Sequence, residues 1–459
     1  MYSYNISLLA FIKNDFVLNY NKSKLTIIYI VYIDISLLYL CPMKFHQYNI
    51  VDELKTALEI EGYKKPTDIQ YRAIPHILAG EDMLAIAQTG TGKTAAFAIP
   101  ILHKIHMMNF KSRPDGIKCI VMVPTRELAI QINDVFTKFG RKLKATSFSV
   151  FGGVEQGPQI AKLEKGIDIL VTTPGRMFDL VSQGHIKLNR IKYLVLDEAD
   201  HMLDLGFIKD IEMLIKWLPK NRQTLFISAT INDKIKKLAY SLVNKPVRIQ
   251  ISPKDPVSKN VDHSVIFVEM DEKRFFLERL VKENEGDKML VFVRTKVRAE
   301  RVKAAMARVG IDSTTMHSGV EQKDRLAVLK EFTEGTTTLL IATDVSARGI
   351  DIPDVNYVVN YDLPDKQESY VHRVGRTGRG RNTGLAFTFC SAEEKPMLKT
   401  IQQYLTKEIK VLKINPDDAR EIVHLTDESK MTMDDIIDKL KVPTRGKRKK
   451  RASKKKHKE

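Results

Sequence analysis

Cysteine is scarce: Cys41, Cys119 and Cys390 are the three in 459 residues, far apart and without a CxxC pair. That excludes a zinc ribbon and a disulfide-stapled secreted fold. Long apolar runs are also rare. The one candidate, LTIIYIVYIDISLLYLC at 25–41, is broken by Asp34, whereas a membrane-spanning helix needs about 20 apolar residues and tolerates a central acid poorly. Nor does Cys41-Pro42-Met43 supply the small-residue cleavage site of a signal peptide. Residues 1–42 therefore read as an upstream extension from a misplaced start, with Met43 as the true one; a membrane anchor is the lesser alternative. A repeated aromatic platform is missing too, which argues against sequence-specific reading of a single strand.

Acid is short relative to base. Against 74 Lys and Arg stand 56 Asp and Glu, giving a net charge of +18 and a pI near 9.5. Such an excess favours a polyanionic partner. Half of it sits in the last 17 residues, PTRGKRKKRASKKKHKE, with ten cations and one acid. With no large apolar residue to anchor it, residues 443–459 read as a disordered basic tail, either solubilising or a nucleic-acid tether.

What is present is one unit, twice. Short β-rich runs alternate with amphipathic helical stretches, the pattern of a parallel sheet with helices on both faces. The first half has MLAIA (83–87), CIVMV (119–123), DILVT (168–172), YLVLD (193–197) and TLFIS (224–228). The second has SVIFV (264–268), MLVFV (289–293), TLLIA (338–342), YVVNY (357–361) and LAFTF (385–389). Between them SPKDPVSKN (252–260), with two prolines, reads as a linker. Two α/β domains so joined leave a cleft, where ligands sit at the carboxyl ends of strands.

The first strand runs into AQTGTGKT, Ala87 to Thr94, and then a helical stretch. Gly90 and Gly92 let backbone N–H groups cradle phosphates, Lys93 reaches the terminal phosphates, and the Thr94 hydroxyl can bind Mg²⁺. The general P-loop pattern has glycine at 87, where this chain has alanine. No GKT recurs in the second half, so one nucleotide site is expected. The strand YLVLD ends at Asp197, placed for Mg²⁺, and Glu198 beside it can polarise an attacking water. Across the cleft, HRVGRTGR (372–379) gathers cations spaced by glycines that let backbone approach a ligand.

These motifs, in this order, resemble the DEAD-box ATP-dependent RNA helicases of superfamily 2, in particular a bacterial RhlE-like branch. The resemblance runs from Phe45 to about Lys410. It implies two tandem RecA-like domains, at 72–250 and 263–411, after a Q motif at 43–71 and around a linker at 251–262; an extension at 412–442, partly helical in MDDIIDKL, and the tail follow. The resemblance also implies ATP and Mg²⁺, with Gln70 reading adenine, Phe45 stacking on the ring, and Ala87, Gln88, Thr89, Gly90, Thr91, Gly92, Lys93 and Thr94 around the phosphates. Asp351 resembles the ribose contact. Arg376 and Arg379 resemble the family's arginine fingers, and His372, with Asp200, Ser228 and Thr230, its interdomain coupling.

RNA contacts implied by the same resemblance are Pro124, Thr125, Arg126, Gly153, Thr173, Gly175 and Arg176 in the first domain. In the second they are Gln322, Arg325, Thr343 and Arg348. Such residue types suit phosphates better than base edges. The implied activity is RNA-stimulated ATP hydrolysis coupled to local, non-processive unwinding of short duplexes or remodelling of RNA–protein complexes, in the cytoplasm and without a membrane partner. A non-catalytic ATP-dependent RNA clamp and a DNA-directed helicase are the alternatives.

Overall fold

A computed structural model of the chain describes residues 44–87, 90–108, 116–251, 257–258, 260–347, 352, 355–378 and 383–412. The expected N-terminal extension with Met43, most of the linker, the helical stretch near MDDIIDKL and the basic tail lie outside the described residues.

The first domain carries strands β1 (Met83–Ala87), β2 (Cys119–Met122), β3 (Ser147–Val150), β4 (Ile169–Thr172), β5 (Tyr193–Leu196), β6 (Gln223–Ser228) and β7 (Val247–Ile251). Among them run helices α1 (Asp52–Ile60), α2 (Asp68–Ala79), α3 (Lys93–His106), α4 (Arg126–Gly140) and α5 (Gly157–Glu164). Then come α6 (Pro174–Ser182), α7 (Ala199–Asp204), α8 (Ile208–Trp217) and α9 (Asp233–Leu242).

The second domain has β8 (Val261–Phe267), β9 (Met289–Val293), β10 (Thr314–Met316), β11 (Leu339–Thr343), β12 (Tyr357–Asn360), β13 (Gly384–Cys390) and β14 (Lys410–Val411). Its helices are α10 (Lys273–Glu283), α11 (Lys296–Arg308), α12 (Gln322–Glu334), α13 (Asp344–Ala347), α14 (Gln367–Val374) and α15 (Lys395–Leu405).

All strand pairs are parallel, in the orders β3-β4-β2-β5-β6-β1-β7 and β10-β11-β9-β12-β13-β8-β14. Each label of the second order is the matching label of the first plus seven. The unit is duplicated in topology, as its sequence pattern implied.

Each sheet is buried on both faces, which is why its central strands are continuous apolar runs. In β1, Met83, Ala85 and Ala87 enter one core with Phe97 and Ile99, while Leu84 enters the other with Leu194 and Phe226. The second sheet divides in the same way, Leu290 and Phe292 of β9 on one face and Val291 and Val293 on the other. Four strands were absent from the sequence reading: β3, β7, β10 and β14. They are the four sheet edges, each short, polar in part or incompletely buried, so no unbroken apolar run marks them. Cys119 and Cys390 are buried free thiols, and burial pushes both up. Among the described residues no helix is long and apolar enough to cross a membrane.

Candidate active site and interdomain cleft

The glycine-rich turn leaves the end of β1 and enters α3. Gly90 and Gly92 both have left-handed φ, +79° and +89°. At Gly92 a side chain is excluded twice, by that φ and because a Cβ would lie 2.5 Å from Gln70 Nε2. Lys93, 7 % exposed, donates from Nζ to the Ala87 carbonyl at 3.0 Å. Thr94 follows on the first turn of the same helix. Gln88 and Thr89 lie outside the described residues.

Gln70 is buried against this turn. Its Nε2 donates to the Gly92 carbonyl at 3.1 Å and its Oε1 accepts from the Thr67 N–H at 2.9 Å, closing a capping box on α2. A primary amide has two donors and two lone pairs, so one of each is left by these bonds. Phe45 is 3 % exposed, its ring 6.0 Å from both Tyr48 and Tyr63, with Tyr63 edge-on to Phe139. Its described contacts are those of a packing anchor for the segment leading into α1.

After β5 the chain places three buried acids in four residues. Glu198 has φ +51°, uncommon for a residue with a side chain, and stands at the start of α7. Asp197 Oδ1 accepts the Glu198 N–H at 2.9 Å. Burial pushes the Asp197 carboxyl up to about 6, against the pull of Lys93 and with the help of Glu198 and Asp200. Burial works the same way on Glu198, but the His201 hydrogen bond and charge, then Lys93 and Arg376, outweigh it and hold the carboxyl at about 2. Adjacent acids are thus driven in opposite directions. Glu198 Oε2 lies 3.4 Å from His201 Nδ1, one turn along α7.

Asp200 is bonded to the loop after β6. Its Oδ2 accepts the Thr230 N–H and hydroxyl, each at 3.0 Å, and Ser228 Oγ donates to the Thr230 carbonyl at 2.7 Å. The acid helix is thereby tied to the end of β6.

Across the cleft Arg376 is buried, its Nε donating to the His372 carbonyl at 3.1 Å, and its charge acts on Glu198. Arg379, Asp351 and Arg348 lie outside the described residues. The sequence reading passed over Arg373. It is 1 % exposed and grips Asp344 with two bonds, Nε to Oδ1 at 2.6 Å and Nη2 to Oδ2 at 2.8 Å. Nη1 also donates to the Asp362 carbonyl at 2.6 Å. Arg373 therefore pins α13, which leads into Arg348 and Asp351, to the helix carrying His372. One glycine of HRVGRTGR has a different purpose from the one expected. A Cβ at Gly378 would stand 2.6 Å from Val261 Cγ2 and 2.7 Å from the Asn260 carbonyl. It makes room for the strand entering the second domain, not for a ligand.

Thr125 caps α4, accepting the Leu128 N–H at 3.4 Å, and Thr173 stands at the N-terminus of α6 with Pro174 next. Pro124 is buried, and a Cβ at Gly175 would meet nothing within 4 Å. Gly153, φ +77°, lies under the Arg126 guanidinium, which any Cβ would overlap. Arg176 Nη2 donates to the Val154 carbonyl at 3.0 Å, and Thr343 is buried at the end of β11.

Gln322 and Arg325 are both turned to the first domain. Gln322, 4 % exposed, donates to Glu127 Oε1 at 3.1 Å and accepts from Arg126 Nη1 at 3.2 Å. Arg325 Nε lies 2.9 Å from the same Glu127 oxygen. Their described partners are protein, and the residue that gathers them is Glu127, next to Arg126 in sequence.

The fold and the site together define a P-loop nucleotide-binding protein whose phosphate turn and acids face an arginine helix on a second domain of like topology. Comparison with known proteins gives the family. The DEAD/DEAH box helicase model matches residues 67–238, and the helicase conserved C-terminal domain model matches 272–381. The chain is 39 % identical over 361 residues to the DEAD-box ATP-dependent RNA helicase CshA of Bacillus subtilis, covering 78 % of this chain and 72 % of that one. It is 40 % identical over 380 residues to the ATP-dependent RNA helicase RhlB of Shewanella woodyi, covering 81 % and 86 %. The S. cerevisiae Dbp5 structure bound to RNA and ADP BeF3 is similar with a TM-score of 0.74 at 28 % identity, over 83 % of this chain and 99 % of that one. The chain belongs to the DEAD-box ATP-dependent RNA helicase family. The relatives' names do not mark a RhlE-like branch, so the placement stands at family level.

Proposed function

We propose that this chain hydrolyses ATP when its two domains close on RNA, and that closure locally separates short duplexes or remodels RNA–protein complexes. The observation that carries the reading is the shared site: Glu198 lies within the electrostatic reach of both Lys93 of its own domain and Arg376 of the other. Lys93, Thr91 and the turn from Ala87 through Gly90 and Gly92 bind the phosphates, and the residual donor and acceptor of Gln70 suit adenine. Thr94 and Asp197 would hold Mg²⁺; the buried, anionic-when-bound carboxylate of Asp197 fits a hard cation that keeps most of its waters. Bound there, Mg²⁺ supplies charge neutralisation at the phosphates. Glu198, kept ionised, orients the attacking water, and Arg376 with Arg379 neutralises charge on the departing phosphate. Asp351 is assigned to the ribose and His372 to coupling.

RNA is assigned to backbone contacts with Thr125, Arg126, Gly153, Thr173, Gly175, Arg176, Thr343 and Arg348, with the basic tail adding phosphate affinity and the cytoplasm as the place of action. A clamp without turnover is disfavoured by the presence of Lys93, Glu198 and Arg376 together. ATPase activity measured without nucleic acid, with RNA and with DNA separates the readings. RNA-specific stimulation is the expected result; nucleotide binding without turnover would favour the clamp, and equal stimulation by DNA the DNA-directed helicase.

A further inference from the structure

We infer that Lys366 is a positioning residue for closure: its ammonium, 2.6 Å from Asp204 Oδ1, fastens the arginine-bearing helix of the second domain to the acid-bearing helix of the first. Neither residue belongs to a motif that the sequence reading singled out.

The argument lies in where the two residues stand. Asp204 is the last residue of α7, whose first turn is entered through Glu198 and contains Asp200. Lys366 is the residue before α14, which carries His372 and leads directly to Arg376. At ~1.5 Å per residue these helices are rods of about 9 and 12 Å. A bond at their outer ends fixes the approach of their inner ends, where the charge of Arg376 reaches Glu198. The second seam between the domains, Glu127 with Gln322 and Arg325, grips the strip assigned to RNA. With only that seam, the rods could pivot about it. A second attachment at a distance removes the pivot.

The pair is also suitably weak. The Lys366 and Asp204 side chains are 57 % and 37 % exposed, so water and salt screen the attraction. A buried bridge of the Arg373–Asp344 kind would hold the cleft shut, whereas an exposed one shifts the open–closed equilibrium by a few fold and still releases each cycle. Tyr404, on α15, belongs to the same surroundings: burial raises its hydroxyl, and the charges of Glu368 and Asp200 add to this. It brings no competing cation to the pair.

This inference rests on the reading of Glu198 and Arg376 as partners in RNA-stimulated hydrolysis, and the experiment keeps the two apart. ATPase rates of the full chain are measured across an RNA titration, with a donor–acceptor dye pair, one on each domain, reporting closure. Lys366→Ala should raise the RNA concentration for half-maximal rate about two- to fivefold, the size of one exposed ion pair. Lys366→Glu, which adds repulsion, should raise it about tenfold. The rate at saturating RNA should stay within about twofold, since RNA can still drive closure. The swap, Lys366→Glu with Asp204→Lys, should restore half-saturation to within about twofold of the parent, and high salt should erase the Lys366→Ala effect.

A folded Lys366→Glu protein with unchanged half-saturation and dye signal would overturn the inference. So would a swap no better than its parts. Should Asp204→Lys misfold, Asp204→Asn and Lys366→Gln replace it, and strict additivity of that pair would be equally damaging. A parent chain with no RNA stimulation would instead sink the functional reading itself.

Discussion

Glu127 and Arg325, 198 residues apart in sequence, meet across the interdomain cleft with Nε 2.9 Å from Oε1. Glu127 is 3 % exposed and takes Gln322 on the same oxygen, so one carboxylate of the first domain organises the start of α12 in the second. Removal of Glu127 would leave the Arg325 charge without its carboxylate, and taking one partner from a buried interfacial charge pair typically costs about 2–5 kcal/mol.

Glu127→Ala should therefore weaken RNA-driven closure by about thirtyfold or more. The measurement is the RNA concentration for half-maximal ATPase. ATP binding should change little, because the phosphate turn lies on other elements. An unshifted RNA titration would mean that the seam contributes nothing to closure.

Glu198→Gln tests the chemistry. It keeps the size of the side chain but removes the charge that burial opposes and His201 supports. Turnover should fall at least about a hundredfold while ATP and RNA still bind. Single-turnover hydrolysis with separately measured affinities checks this, and a near-parental rate would remove Glu198 from the water-polarising role.

Much of this was legible in the sequence, for identifiable reasons. Central strands buried on both faces must be apolar throughout, so β1, β2, β5 and β9 announce themselves. The edges cannot: β7 alternates and β14 is exposed. The phosphate turn was readable because its glycines, lysine and threonine are local in sequence. Glu127, Arg373 and Lys366 were not, since their partners stand 195, 29 and 162 residues away and only the fold brings them together. His201 was the one local signal missed, three residues from Glu198 and so on the same side of a helix. Gln322 and Arg325 have a partner that residue type alone does not reveal. Their polar, cationic character fits phosphates, and nothing short of the packed cleft reveals that a carboxylate has taken them.

The tail provides a purely electrostatic test. Deletion of 443–459 removes ten cations and one acid. The rate at saturating RNA should be unchanged, since no residue assigned to the ATP site is lost. Affinity should fall, and if about half the cations engage single-stranded RNA the slope of log K against log salt should become shallower by roughly three units, at ~0.7 per contact. The loss should be alike for unrelated RNA sequences. An unchanged slope would leave the tail a solubilising terminus.

The second domain's stability hangs on a cation with no exposure at all. Lys273 donates from Nζ to Glu394 Oε2 at 2.6 Å and to the Tyr361 carbonyl at 2.7 Å. Glu394 is further bonded by the Leu363 and Ser391 N–H groups, each at 3.1 Å, and lies 3.4 Å from Arg294 Nη2. Burial alone would raise the Glu394 carboxyl, yet Lys273 and those N–H groups hold it below its ordinary value. A carboxyl depressed on folding adds stability that is present above its unfolded pKa and lost as pH falls through the folded one. Lys273→Met strips off the main opposing charge and leaves a buried carboxylate that prefers its proton. The variant should lose about 3–5 kcal/mol at neutral pH, the usual effect of breaking a buried pair from one side. The loss should begin to shrink as pH falls below the ordinary glutamate value of about 4.5 and go on shrinking through the depressed folded value, where Glu394 takes up its proton in the parent as well. Chemical denaturation of parent and variant at pH 7 and pH 4 checks this. Curves equally far apart at both pH values would show that Lys273 contributes packing and not charge.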